Sequence, residues 1–89
     1  MERILIVDDE KNILTTLGRA ISIEGYDVQT ALTGQDGLDK VSSFQPDVVL
    51  LDLKLPDLSG LDVLTKINEL AHPPAVVMIS AHASINSAV

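Results

Sequence analysis

Val48-Val49-Leu50-Leu51-Asp52-Leu53-Lys54-Leu55-Pro56-Asp57-Leu58-Ser59-Gly60 is the stretch that decides the fold. Its four leading aliphatics read as a short strand of a parallel sheet, apolar on both faces because both faces are covered. Asp52 ends that run. A second run, Ile4-Leu5-Ile6-Val7, also ends in acid, Asp8-Asp9-Glu10. In open α/β sheets, sites form beyond the carboxyl ends of strands, where strand order reverses. Carboxylates gathered at one rim repel each other unless a cation or proton neutralises them. The two strand ends together therefore make a candidate site.

Outward from these runs the pattern alternates strand and helix, which implies a parallel sheet. The first strand is expected over 3–7 and a helix over 11–24, where Ile13, Leu14, Leu17 and Ile21 recur at helical spacing. Gly25 suits the left-handed position just past a helix end. The second strand, 27–31, is less apolar, as an edge strand would be. Thr33-Gly34-Gln35-Asp36-Gly37 leads into a second helix through Leu38 and Val41. Gly37 should cost that helix about 1 kcal/mol relative to Ala. Gln45-Pro46-Asp47 breaks it before the third strand, 48–51. The third helix is expected to begin near Ser59-Gly60, to carry Leu61, Leu64 and Ile67 on one side, and to stop at His72-Pro73-Pro74. The fourth strand is 75–79, followed by Ser80-Ala81-His82, with Ser84 as cap of a fourth helix through Ile85 and Val89.

At 89 residues this is one small domain, with aliphatic residues supplying its core and only Tyr26 and Phe44 as aromatics. The net charge of −7 argues against nucleic-acid binding, because phosphate contacts need Lys and Arg. Away from the strand ends the acidity reads as solubility. The chain has no Cys, hence no disulfide framework and no cysteine-type zinc site, which fits the cytoplasm. No apolar run approaches the roughly 18–20 residues that a spanning helix needs, and Met1 leads at once into charge, so no signal peptide is expected.

Three readings of the acids compete. Asp8, Asp9 and Asp52 could hold Mg²⁺, a hard cation that takes carboxylate, phosphate and water oxygens. Asp52 could in addition accept a phosphoryl group, since carboxylates form aspartyl phosphates. Or the acids are solvated side chains and helix caps. For one Asp after one strand the last reading leads; for an acid pair after one strand and a lone Asp after another, the metal site leads. Ser80, at the end of a third apolar strand, could offer a hydroxyl to a phosphoryl oxygen, and the small Ala81 beside it leaves room. His72 fits the end of a helix dipole and His82 a surface or rim position; neither makes a transition-metal site alone.

The opening Ile4-Leu5-Ile6-Val7-Asp8-Asp9-Glu10 resembles that of a response-regulator receiver domain. Asp52 to Gly60 resembles that family's phosphoacceptor loop, with Pro four residues and Gly eight residues after the acceptor. Ser80-Ala81 resembles its switch hydroxyl and small neighbour. The resemblance implies that Asp52 is the phosphoacceptor, that Asp9 binds Mg²⁺ directly and Asp8 mainly through water, and that the Lys54 backbone carbonyl is a further ligand. It implies that Ser80 closes on the phosphoryl group while Pro56 and Gly60 shape the loop. The implied partner is a sensor histidine kinase, whose phosphohistidine supplies the group. The module would regulate an output domain and would not itself be a turnover enzyme beyond its own phosphorylation and dephosphorylation. Ser80-Ala81-His82-Ala83 with Ala88-Val89 looks most like receivers of the nitrogen-regulatory, enhancer-binding class, which points to a transcriptional output.

The implied fold is flavodoxin-like, a doubly wound parallel sheet in order 2-1-3-4-5. Residues 1–89 would supply its first four strands and the start of the fourth helix, without strand 5 and helix 5. A receiver also carries a Lys at the end of strand 5, for which this sequence has no counterpart; Lys54 lies in the acceptor loop. Metal binding is therefore expected to outlast phosphoryl transfer in such a fragment. Strand 4 would be left as an open apolar edge, so self-association by edge pairing, or by exchange of the residues after strand 4, is expected. Two rivals remain. One is a Mg²⁺-dependent phosphatase with an aspartyl-phosphate intermediate, although such hydrolases usually have a second acid where this chain has Lys54. The other is a self-associating structural module that works without phosphorylation. Neither G-x-G-x-x-G nor a P-loop occurs, so nucleotide binding is poorly supported.

Overall fold

The two aliphatic runs form the centre of a parallel sheet. The computed structural model describes residues 2–79. The elements are β1 (Arg3–Val7), α1 (Lys11–Ile23), β2 (Asp27–Ala31), α2 (Gly34–Phe44), β3 (Val48–Asp52), α3 (Gly60–Asn68) and β4 (Ala75–Ile79). The strands lie in the order β2-β1-β3-β4, all parallel, so the fold is the doubly wound flavodoxin-like type with order 2-1-3-4. The chain winds first from β1 out to β2 and then returns to place β3 on the other flank of β1. The order therefore reverses between β1 and β3, where a crevice is expected.

Register follows from the aliphatic pattern. Ile6 sits between Thr30 on β2 and Leu50 on β3, and Asp52 is paired with Ile79 on β4. Leu5, Val7, Ala31, Val49 and Leu51 point to one face, where Val41 and Phe44 of α2 and Val63 and Ile67 of α3 close the core. Ile6 points to the opposite face, towards Gly18 on α1. On that face α1 lies over β1 and β2. Leu14 is its one buried residue, and Ile13, Leu17 and Ile21 are only half-buried. Among the described residues nothing covers the β3–β4 half, and Val77 is 49% exposed there.

Helix ends show how local sequence sets the elements. Gly25 has φ +102°, as a left-handed helix terminus requires. Thr33 and Ser59 cap α2 and α3, their hydroxyls accepting from the amides of Asp36 and Asp62. Gly37 lies inside α2 because the helix runs against β1: a Cβ there would come within 2.9 Å of Val7 Cγ2. The close approach explains a residue that helix propensity alone disfavours.

Two expectations for α3 need correcting. The helix ends at Asn68, before His72-Pro73-Pro74. Its last turn tightens through i→i−3 bonds, Glu69 N–H to Lys66 O and Leu70 N–H to Ile67 O, and the chain leaves the helix there. Its buried stripe is Gly60, Val63 and Ile67; Leu64 is half-buried and Leu61 is 60% exposed. Leu61 satisfied the periodicity as an apolar residue, but Gly60 sets the phase because it must touch β3.

Candidate metal centre at the ends of β1 and β3

β1 runs out at Val7, and the next amide, Asp8 N–H, still donates to Ala31 O at 3.0 Å, which extends the ladder by one bond. Asp8 is thus held against the sheet and is only 4% exposed. Its Oδ1 accepts from Glu10 N–H at 2.9 Å, a local turn that starts α1 although Glu10 makes no side-chain cap. Asp9, one residue on, is exposed. Asp52 closes β3, half-buried, with its Oδ1 3.4 Å from the Lys54 amide.

The three carboxylates meet at the switch point. Each offers an oxygen, and these oxygens lie within 4.8 Å of one another. Burial pushes the Asp52 carboxyl above its ordinary value of 3.8; the Lys54 amide opposes this, and the negative charges of Asp8 and Asp9 add to it. Among the described residues no Lys or Arg forms an ion pair with any of the three; the one ion pair found there is Lys40–Asp36. The donor set is all oxygen, which suits a hard cation and not a thiophilic one. An octahedral Mg²⁺ shell puts neighbouring oxygens about 2.9 Å and opposite ones about 4.1 Å apart. The three acids need to draw in only slightly to match it. Asp8, Asp9 and Asp52 are the residues that would offer the ion oxygens. The arrangement fits Mg²⁺.

The segment after Asp52 is a closed loop. Gly60 N–H donates to Leu53 O at 2.7 Å, and Lys54 bridges Ser59 in antiparallel fashion. A Cβ at Gly60 would fall on the Asp52 carbonyl and 2.7 Å from Leu53 Cα, so the base of the loop tolerates only glycine. Lys54 sits in this base with its side chain exposed. Asp57 carries no functional signature in the sequence pattern. Its carboxylate accepts from Gly34 N–H at 2.8 Å and Gln35 N–H at 2.9 Å, at the start of α2. These amides hold its carboxyl below the ordinary 3.8. No local pattern could have shown this, because the partners are 22 and 23 residues away. Ser80, Ala81 and His82, and the fourth helix expected after them, lie outside the described residues.

The chain is similar to known proteins in sequence and in fold. The family model described as response regulator receiver domain matches residues 4–89. Response regulator ArlR of Staphylococcus aureus is 41% identical over 78 residues, covering 88% of this chain and 36% of that protein. The chain thus spans about a third of the length of the curated relatives it matches. The crystal structure of response regulator protein TrrA from Thermotoga maritima in complex with Mg²⁺–BeF superposes with a TM-score of 0.83 at 35% identity, covering 97% of this chain and 76% of that one. The crystal structure of histidine kinase ThkA in complex with TrrA gives a TM-score of 0.83 at 38% identity, covering 91% of this chain and 70% of that one. Among the described residues no helix is long and apolar enough to cross a membrane.

Proposed function

This chain belongs to the response-regulator receiver domain family, and we propose that it accepts a phosphoryl group on Asp52 from the phosphohistidine of a sensor kinase. The single observation that carries the reading is the Asp8, Asp9 and Asp52 cluster at the sheet's switch point, within 4.8 Å and without a basic partner among the described residues. Three acids so placed suit a dication and an incoming phosphoryl group together.

Asp52 is the nucleophile. One of its carboxylate oxygens forms the P–O bond as the P–N bond to the kinase imidazole breaks, and the imidazole nitrogen keeps the electron pair. Asp8, Asp9, Asp52 and the Lys54 backbone carbonyl would hold Mg²⁺. When bound, the metal offsets negative charge on the acids and on the phosphoryl oxygens. Half-burial of Asp52 keeps bulk water from screening that attraction. Ser80 is assigned the switch hydroxyl and Ala81 the small neighbour that gives the phosphoryl group room. The module is a switch and not a turnover enzyme, working in the cytoplasm and regulating an output domain. The Ser80-Ala81-His82-Ala83 pattern favours a transcriptional output of the nitrogen-regulatory, enhancer-binding class.

The test is intact mass after incubation with Mg²⁺ and a small-molecule phosphodonor. One phosphoryl group is gained by the chain and none by Asp52→Asn; equal gain by both would refute the acceptor assignment, and gain in excess chelator would refute the metal's role.

A specific observation favours a second property, self-association. Among the described residues β4 pairs only with β3, and Val77 on it is half-exposed. An apolar edge of this kind invites pairing with a second copy, or exchange of the residues that follow β4. A light-scattering mass of one chain across a wide concentration range would refute it.

A further inference from the structure

The acceptor loop is closed at its base by Gly60–Leu53 and Lys54–Ser59, but the hydrogen bonds that fix its tip come from elsewhere. Asp57 Oδ1 accepts from Gly34 N–H at 2.8 Å and Asp57 Oδ2 from Gln35 N–H at 2.9 Å. Oδ1 also accepts from Leu58 N–H at 2.9 Å. Beside this clamp, Leu58 packs tightly on the start of α2: a Cβ at Gly34 would come within 3.0 Å of Leu58 Cβ. We infer that Asp57 is a positioning residue for the acceptor loop, whose docking on the first amides of α2 fixes the loop tip and, through it, the Lys54 backbone. The inference rests on the proposed role of the Lys54 carbonyl as a metal ligand.

The bland alternative is that Asp57 merely caps α2. Helix α2 already has a local cap, Thr33, whose hydroxyl accepts from Asp36 N–H at 3.0 Å. Two free first-turn amides cost a helix little when water can reach them. For the loop the contact is worth more. Only Leu55 and Pro56 separate Lys54 from Asp57, and the proline ring fixes one of the intervening torsions. A tip anchored at Asp57 therefore leaves Lys54 little freedom. The carboxylate is also favourably placed at the positive end of the α2 dipole, in keeping with its lowered proton affinity. Without the anchor, the loop would have to be ordered at the moment of metal binding, and that ordering would be subtracted from affinity.

The experiment compares Asp57→Ala, Asp57→Asn and Thr33→Ala with the unaltered chain. Two readouts are used: Mg²⁺ titration followed by amide chemical shifts, and hydrogen exchange at the Gly60 amide in metal-free protein. Asp57→Ala should raise the Mg²⁺ dissociation constant about threefold to tenfold, the range a lost cap contact implies. It should also speed exchange at Gly60, and Asp57→Asn, which keeps one carbonyl acceptor, should fall between. Thr33→Ala should lower the melting temperature comparably yet leave Mg²⁺ affinity within about twofold, since it weakens α2 without releasing the loop. Unchanged affinity in Asp57→Ala, or an equal loss in Thr33→Ala, would overturn the inference. Should the unaltered chain bind no Mg²⁺, the metal reading fails, and the exchange arm still decides the loop: faster exchange at Gly60 in Asp57→Ala alone supports the anchor, and unchanged exchange overturns it.

Discussion

Replacing Gly60 by Ala should damage this fold more than any other single methyl group placed on a glycine here. The new Cβ would strike the Asp52 carbonyl oxygen and sit 2.7 Å from Leu53 Cα. Both are backbone atoms at the end of β3, and neither can rotate away as a side chain can. Overpacking of this kind costs about 1–3 kcal/mol. Separating the strands of the loop also weakens the Gly60–Leu53 hydrogen bond, worth about 1 kcal/mol. Alanine regains at most about 1 kcal/mol of helix propensity at the start of α3. The net loss is about 2 kcal/mol, which in a domain of this size lowers the thermal midpoint by about 8–16 °C. Gly18→Ala is the internal control. Its Cβ would find ordinary contacts at 3.8–4.0 Å in the middle of α1, so it should gain about 0.5–1 kcal/mol and melt about 2–8 °C higher. Thermal unfolding followed by circular dichroism reads both. If Gly60→Ala melts at or above the unaltered chain, the close approach does not govern the loop and the reasoning fails.

Other outcomes follow from the same geometry. Because Asp52 binds its proton more tightly in the folded chain than its ordinary value of 3.8 implies, its contribution favours folding below that pH and is lost as pH rises through the raised value. Metal-free Asp52→Asn should therefore melt above the unaltered chain at pH 7, with the gap closing as pH falls towards 3.8; a constant gap across a melting series in chelator would refute the electrostatic account. On α3, Ile67→Ala should cost about 2–5 kcal/mol, whereas Leu61→Gln, on the exposed side, should stay within about 0.5 kcal/mol. Urea midpoints check this, and equal losses would mean that the helix phase is wrong.

The sequence by itself determined the strands, their order of appearance and the acids at their ends. Ile4-Leu5-Ile6-Val7 and Val48-Val49-Leu50-Leu51 are apolar at every position because central parallel strands have no solvent face, and that constraint is written locally. Gly25 and the helix starts near Thr33 and Ser59 were legible for a similar reason, since helix ends are set within one turn, while the capping bonds of the two hydroxyls emerged with the structure. The sequence also placed Asp8, Asp9 and Asp52 at strand ends, from which a shared rim could be argued. What only the tertiary structure decided depends on distances between segments far apart in the chain. The phase of α3 is fixed by Gly60 touching β3, which outweighs an apolar periodicity that Leu61 satisfies equally well. Gly37, a poor helix residue by propensity, is explained only by the approach of Val7. The division of the acid pair into a buried Asp8 and an exposed Asp9 follows from one further ladder bond to Ala31. The Asp57 clamp joins amides more than twenty residues away, and no periodicity or spacing carries such a contact, because it arises when the sheet brings the β3 loop beside α2.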